Sequence, residues 1–175
     1  RSILVLLVVV ALVGAGGWWV FGAAQQRGLI GPTPVPAHYR DLVIEAAARC
    51  PAIPLAIFAA QMEAESGWDP RAASGAGARG VAQFMPEVWQ AYGIDANNDG
   101  VASVWDPTDA IHSASLLNCV NRELVKEVAG KRLENTLAAY NAGFNAVRKY
   151  DGIPPFPETE TYVKRILDIS KTIEF

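Results

Sequence analysis

The sequence predicts an all-α domain, with at most a minor β hairpin, behind an apolar N-terminal segment. Apolar residues after position 37 recur at three- and four-residue steps in six or seven short segments. Proline and glycine separate these segments from one another. No convincing run of residues alternates between apolar and polar side chains as a half-buried strand would.

Composition favours a single globular domain and argues against a nucleic-acid-binding protein. The 175 residues include 15 Lys and Arg and 18 Asp and Glu, which gives a net charge of −3. Charges of both signs are spread along the chain, so there is no basic patch to hold a phosphate backbone. The first 24 residues inflate the hydrophobic share of 51%, but the remaining ~150 residues can still bury a sizeable core.

Residues 1–24 contain an uncharged apolar run that is long enough to cross the roughly 30 Å hydrocarbon core of a bilayer. Trp18 and Trp19 lie toward its far end, where interfacial aromatics are common. The segment is either an uncleaved transmembrane anchor or a signal peptide with small residues before Gln25, and its length favours the anchor. Both interpretations place the rest of the chain outside the cytoplasm.

Residues 25–37 are predicted to be a stiff linker, because they hold three prolines and two glycines. The following domain is expected to span 38–175. Its first helix is predicted over 38–50, ended by Pro51, and Pro54 opens the second because a missing N–H costs little at a helix start.

The second helix carries a carboxyl group on its apolar face. Leu55, Phe58 and Met62 repeat at three- and four-residue steps, and Glu65 is next in that series. Glu63 is expected to point elsewhere, since residues two apart do not share a helix face.

A break and a loop of small residues, 72–80, follow Glu65. A carboxyl at the floor of such a loop loses solvation, which raises its pKa toward the range that a general acid needs. The other interpretation is an ordinary, solvated glutamate at a helix end.

Five more helical segments are expected along the chain. Pro107 opens the longest of them, and Thr159 with its acidic neighbours suits the start of the last. Their predicted ranges are 87–92, 107 to about 128, 133–142, 144–150 and 158–173.

Residues 95–106 match the calcium-binding loop of an EF-hand. The last position holds an aspartate, whose arm is shorter than that of the usual glutamate, and the preceding helix is short. A structural calcium ion and a surface turn rich in Asp, Asn and Gly are both open interpretations. The ligands would be the side chains of Asp95, Asn97, Asp99, Ser103 and Asp106 and the carbonyl group of Val101.

Cys50 and Cys119 are the only two cysteines. Because the domain is predicted to be exported, we expect them to form a disulfide, although two unpaired buried thiols are the alternative. Closing a loop of about 70 residues would stabilise the fold by ~4 kcal/mol in the chain-entropy account.

Three motifs, in order, resemble the signature of the soluble lytic transglycosylases, the lysozyme-like enzymes that cut peptidoglycan. The resemblance covers roughly residues 40–170 and implies a lysozyme-like helical fold. The motifs run from Glu65-Ser66 to Gln83-Phe84-Met85-Pro86, over Ala139-Tyr140-Asn141-Ala142-Gly143, and over Glu158-Thr159-Glu160-Thr161-Tyr162-Val163.

The resemblance implies that one glutamate, Glu65, acts as both acid and base on peptidoglycan glycan strands, with no required cofactor. It would cleave the β-1,4 bond between N-acetylmuramic acid and N-acetylglucosamine and leave a 1,6-anhydro end. Val81-Ala82 departs from the Leu-Met that is frequent in the family, which leaves sugar contacts at Ala82 open. The residues implied to position the loop or the substrate are Ser66, Ser74, Gln83, Met85, Tyr140, Asn141 and Glu158.

Other interpretations remain open from the sequence. A hydrolytic lysozyme would use water in place of the sugar hydroxyl, and a non-catalytic module would only bind peptidoglycan. Tyr140 could be a core tyrosine, and Glu158 could be only a helix-end charge. Wall turnover, conjugation or secretion, and phage entry are all compatible processes. A cell-envelope assembly is an open interpretation for the partner.

Overall fold

The computed structural model describes residues 32–175. The apolar segment 1–24 and residues 25–31 of the predicted linker lie outside the described residues. Pro34–Phe175 forms one compact unit. Within the described part of the chain, no helix combines the length and the apolar character needed to cross a membrane.

The compact unit is mostly helical, which confirms the predicted fold class. Its elements are α1 (Ala37–Ala48), α2 (Leu55–Ser66), α3 (Pro86–Tyr92), α4 (Pro107–Leu124), α5 (Arg132–Ala142), α6 (Phe144–Lys149), α7 (Pro157–Ile169), and the strands β1 (Thr33–Pro34) and β2 (Ile173–Glu174). The two strands pair as a small sheet. In the loop after Glu65, where a hairpin was expected, only isolated antiparallel bridges form, Ala73 with Arg79 and Arg79 with Phe84.

Local chemistry explains where the main helices begin and end. Gly67 ends α2 in the left-handed conformation at φ 61°, and its N–H bonds to the carbonyl oxygen of Glu63. Asp106 caps α4 with a carboxylate that accepts from the N–H groups of Thr108 and Asp109. The same helix ends at Leu124, short of the predicted 128, because the chain turns there and buries Val125.

Helix α2 is the centre of the core. It packs against α1 and α7, while α5 packs against α4, α6 and α7. The buried side chains of α2 include Phe58, Ala59, Ala60 and Met62, so they cover all sides of the helix and form no single stripe. Glu63 and Glu65, which are two residues apart on this enclosed helix, are both half-buried.

Two links fix the edges of the compact unit. Cys50, just after α1, and Cys119, on α4, form the predicted disulfide, with an S–S distance of 2.12 Å and a Cα–Cα distance of 5.6 Å. Near the N-terminal end, the N–H of Val35 donates to the carbonyl oxygen of Glu174 at 2.8 Å. Val35 is buried in the core, so the chain already packs on the domain before α1 begins.

Candidate active site

Glu65 lies in the last turn of α2, half-buried and facing α7. Burial raises the pKa of its carboxyl to about 8, and the hydrogen bond from Tyr162 and the charge of Arg165 only partly oppose this rise. A carboxyl with this pKa holds its proton at neutral pH, as a general acid must.

A line of hydrogen bonds runs from Glu65 into the core. The hydroxyl of Tyr162, on α7, donates to Oε1 of Glu65 at 2.5 Å. Nε2 of Gln61 donates to Oη of Tyr162 at 3.1 Å. Nδ2 of Asn118, on α4, donates to Oε1 of Gln61 at 2.6 Å. Three helices therefore meet, through polar groups, at the acid.

Tyr140 lies on the other side of the acid, on α5. Its hydroxyl donates to the carbonyl oxygen of Ala82 at 2.9 Å, and its ring meets the edge of Phe84. Burial raises the pKa of Tyr140 well above its ordinary value, and the nearby charge of Glu65 raises it further. The structure thus brings Tyr140 close to both Glu65 and the loop.

The loop between α2 and α3 is braced by its own polar side chains. Oγ of Ser66 donates to the carbonyl oxygen of Val81 at 2.8 Å, which ties the end of α2 to the loop. Nε2 of Gln83 donates to the carbonyl oxygens of Ala72 at 3.1 Å and Gly80 at 2.9 Å. Ser74, by contrast, is exposed and accepts from the N–H of Ala78 at 3.0 Å. Ser66 and Gln83 therefore hold the loop in shape rather than project from it.

Asn141 connects two helices next to the site. Its Oδ1 accepts from the hydroxyl of Thr159 at 2.8 Å, which ties α5 to α7. Thr159 lies in the first turn of α7, after Phe156 at the cap position, and it is buried. Glu158 is exposed in the first turn of α7, and Met85 is exposed just before α3.

The sequence profile of the family described as Transglycosylase SLT domain matches residues 42–163. This chain belongs to that family.

Relatives of this SLT domain include much longer proteins. Membrane-bound lytic murein transglycosylase D from Escherichia coli (strain K12) is 33% identical over a 129-residue alignment, which covers 63% of this chain and 26% of that protein. The crystal structure of the 70 kDa soluble lytic transglycosylase from Escherichia coli has 26% identity and a TM-score of 0.58, and covers 77% of this chain and 24% of that one. A complex of the 70 kDa soluble lytic transglycosylase with bulgecin A has 27% identity and a TM-score of 0.62 over the same shares. This chain spans about a quarter of the length of these relatives.

Arg165 adds positive charge beside the acid of this SLT domain. Burial raises the pKa of Glu63, and Arg165 opposes that rise, as it does for Glu65. The two glutamates of α2 therefore share one cation of α7.

Four residues at this site had no role assigned from the sequence. Gln61 comes one turn before Glu65, a spacing that could have suggested a shared helix face. Tyr162 belongs to one of the family motifs, so its position was visible although its contact was not. Asn118 and Arg165 lie on helices whose alignment with α2 only the folded structure shows.

The 95–106 loop packs on α4 through a residue that the EF-hand comparison did not include. Asp109 is fully buried, and its carboxylate accepts from the N–H groups of Ala96 at 2.8 Å and Ser103 at 2.9 Å. These two hydrogen bonds attach residues 96 and 103 of the loop to α4.

Inside the 95–106 loop, three of the predicted calcium ligands converge. Nδ2 of Asn97 donates to Oδ2 of Asp99 at 3.2 Å and to Oδ2 of Asp106 at 3.3 Å. Asp95 accepts from the N–H groups of Asp99 and Gly100. Among residues 32–175, however, no three His, Cys, Asp or Glu side chains are grouped as metal ligands.

An open cavity of about 500 Å³ lies elsewhere on the surface. It is lined by residues near the end of α4 and the end of α6, and it includes none of the predicted site residues. Its lining carries acidic and basic side chains but no buried titratable group, so it is not a candidate for the catalytic site.

Proposed function

We propose that this SLT domain is a lytic transglycosylase that cleaves the β-1,4 bond between N-acetylmuramic acid and N-acetylglucosamine in peptidoglycan. The observation that carries the proposal is the half-buried carboxyl of Glu65, with its raised pKa and its hydrogen bond from Tyr162. Family membership and the names of the relatives support the same activity.

In the first step, protonated Glu65 donates its proton to the glycosidic oxygen. The bond between that oxygen and the anomeric carbon of N-acetylmuramic acid breaks, and the N-acetylglucosamine side leaves with a new hydroxyl. Glu65 becomes a carboxylate, and the O–H of Tyr162 and the charge of Arg165 stabilise it.

In the second step, the same carboxylate removes the proton of the 6-hydroxyl of N-acetylmuramic acid. The freed oxygen bonds to the anomeric carbon and closes the 1,6-anhydro ring. Glu65 is then protonated again, and no water is consumed. An internal hydroxyl held beside the reacting carbon competes well with water because its effective concentration is very high.

One carboxyl suffices for this route, whereas most glycosidases need two that flank the bond. Asp69, the nearest downstream carboxylate, is exposed and accepts from the N–H of Arg71 at 2.8 Å. Glu63 is on the same helix as Glu65 and shares Arg165 with it. The arrangement of these groups therefore favours a mechanism that uses Glu65 twice.

The exposed side chains at the edges of the site are the substrate contacts in this proposal. They are Met85, Glu158 and Ser74, each of which is exposed to solvent. Tyr140, Asn141, Ser66 and Gln83 support the loop and the helices on which these contacts depend.

The product mass tests the proposal. Purified peptidoglycan is digested with the full chain, and the released fragments are analysed by liquid chromatography and mass spectrometry. We expect anhydro-muropeptides, each lighter by one water molecule than the hydrolysis product. Glu65→Gln should abolish them, while Glu45→Gln, the same change at an exposed side chain of α1, should not.

The other outcomes identify the alternatives. Fragments with reducing ends would show a hydrolytic lysozyme, in which water attacks instead of the sugar hydroxyl. Binding of intact peptidoglycan without any fragments would show a non-catalytic module. If Glu65→Gln released anhydro-muropeptides as fast as the parent, the role of this glutamate would be wrong.

The disulfide supports a location outside the cytoplasm, because such bonds persist in oxidising compartments. We propose that the apolar segment 1–24 anchors the domain to a membrane with the active site toward the wall. We also propose that the partners of the domain belong to a cell-envelope assembly. Protease accessibility in intact cells and after lysis tests this orientation.

A further inference from the structure

The buried amides behind Tyr162 form a polar path that leads from the core to the acid. Gln61 and Asn118 are both fully buried, on α2 and α4. Gln61 lies one turn before Glu65, so the two side chains project from the same face of α2. Two long polar side chains in a core are costly unless each has a defined partner.

The hydrogen bonds of the path all point toward Glu65, and Oδ1 of Asn118, at the far end, is buried without a hydrogen-bond partner among the described residues. The N–H donor of Asn118 meets Oε1 of Gln61 at 2.6 Å, so the amide nitrogen of Gln61 faces Tyr162. That nitrogen donates to Oη of Tyr162 at 3.1 Å. Since the tyrosine oxygen already accepts from Gln61, its own O–H is directed to Glu65, at 2.5 Å.

We propose that Gln61 and Asn118 are positioning residues that keep Tyr162 in the role of hydrogen-bond donor to Glu65. The hydrogen bonds themselves are seen in the structure, whereas their effect on catalysis rests on the proposed function. A hydroxyl group can donate or accept a hydrogen bond, and without the amides Tyr162 could accept one from neutral Glu65 instead. With them, the tyrosine favours the carboxylate that forms when the glycosidic oxygen is protonated.

The charged groups around Glu65 do not supply this direction. Arg165 on α7 and Glu63 on α2 act through charge, and Tyr140 on α5 donates to the loop rather than to the acid. The amides of Gln61 and Asn118 are neutral, so they orient the tyrosine without adding a charge to the core. The hydrogen bonds from Asn118 through Gln61 to Tyr162, called the relay below, can therefore be removed without changing the charges near Glu65.

A double-mutant cycle tests the relay by a readout that does not depend on catalysis. The full chain is labelled with glutamate carrying ¹³C at the side-chain carboxyl, and the signal of Glu65 is assigned by its loss in Glu65→Gln. We expect Gln61→Met to raise the titration midpoint of Glu65 by about half a unit to one unit, because a hydrogen bond to the charged form is weakened. In a Tyr162→Phe background, Gln61→Met should cause no further shift.

Asn118→Leu provides a second route to the same result, since it frees the Gln61 amide to turn. We expect a shift in the same direction and a smaller one. Ser115→Ala is the matched control, because Ser115 is buried on the same helix and is not part of the path. It should leave the titration unchanged. Thermal unfolding of each variant shows that the fold is retained.

The results separate the relay from the proposed function. An equal shift from Gln61→Met with and without the Tyr162 hydroxyl, or no shift at all, would overturn the relay even if anhydro-muropeptides are released. The expected shifts without any released product would leave the relay standing and remove the transglycosylase proposal.

Discussion

A side-chain carbon at Gly80 would lie 2.0 Å from the carbonyl oxygen of Val104. The loop after α2 and the segment before α4 thus touch backbone to backbone. Gly80 also has a φ of 74°, a conformation that other residues rarely adopt. The position of the loop that follows Glu65 therefore depends on glycine at position 80.

We expect Gly80→Ala to destabilise the protein by about 1–3 kcal/mol, because the added methyl group must push two backbone segments apart. Release of anhydro-muropeptides should fall as well, since Ala82 and the hydroxyl of Tyr140 move with the loop. Denaturant unfolding and product analysis measure the two effects. Gly75→Ala is the control, because a side-chain carbon at Gly75 meets nothing within 4 Å. Equal stability of the two variants would contradict this account.

The rate of peptidoglycan cleavage should fall as pH rises through about 8, because the general acid must be protonated and burial raises the pKa of Glu65 to about 8. Initial rates measured across this range check the prediction. A rate that declines instead from pH 5 upward would show that Glu65 ionises as an ordinary carboxylic acid.

Stability should depend on the same proton. The pKa of Glu65 is raised from 4.5 to about 8 in the folded state, so the folded protein binds more protons than the unfolded chain between these values. Stability is then greatest below this window and decreases as pH rises through it, by at most ~1.4 kcal/mol per unit of pKa difference. Glu65→Gln should lack this decrease, which denaturant unfolding of both proteins at pH 5 and pH 8 would show.

Removal of the disulfide should cost about 2–5 kcal/mol of stability. The bond joins residues 69 positions apart and ties the end of α1 to α4. A Cys50→Ala, Cys119→Ala double variant compared with the parent in denaturant measures the loss, and reductant should affect only the parent. Intact mass after alkylation without reductant is the independent check, since two alkylated thiols would refute the pairing.

We propose that calcium binds the 95–106 loop, whose predicted ligands include Asp99 and Asp106 on either side of the Asn97 amide. Calorimetric titration of the metal-stripped protein is the direct measurement, and we expect heat at millimolar calcium or below. Asp99→Asn removes one carboxylate and should weaken the binding. No heat at millimolar calcium would leave the loop as a surface turn.

The sequence predicted the parts of this domain that depend on neighbouring residues. Proline at positions 51, 54 and 107 and glycine at positions 67 and 143 marked the helix boundaries well, because each acts on its own turn of backbone. The apolar spacing before Glu65 placed the acid at the end of a buried helix. The two cysteines left a single possible intramolecular pairing.

The sequence did not predict contacts that depend on how the helices pack. Tyr162 and Glu65 are 97 residues apart, and Asn118 and Gln61 are 57 residues apart. The spacing of apolar residues along the sequence does not indicate which residues so far apart come into contact. Thr159 lies in the first turn of α7, as its position suggested, but the sequence did not indicate that its hydroxyl bonds to Asn141.

The hydrogen bond between Val35 and Glu174 places the two ends of the compact unit side by side. A donor dye at one end and an acceptor dye at the other would therefore transfer energy efficiently while the domain is folded. Unfolding would separate the dyes by tens of ångströms, on the order of the size of a disordered chain of this length. Fluorescence could then follow the intactness of the domain on an insoluble substrate, where scattering defeats most optical methods.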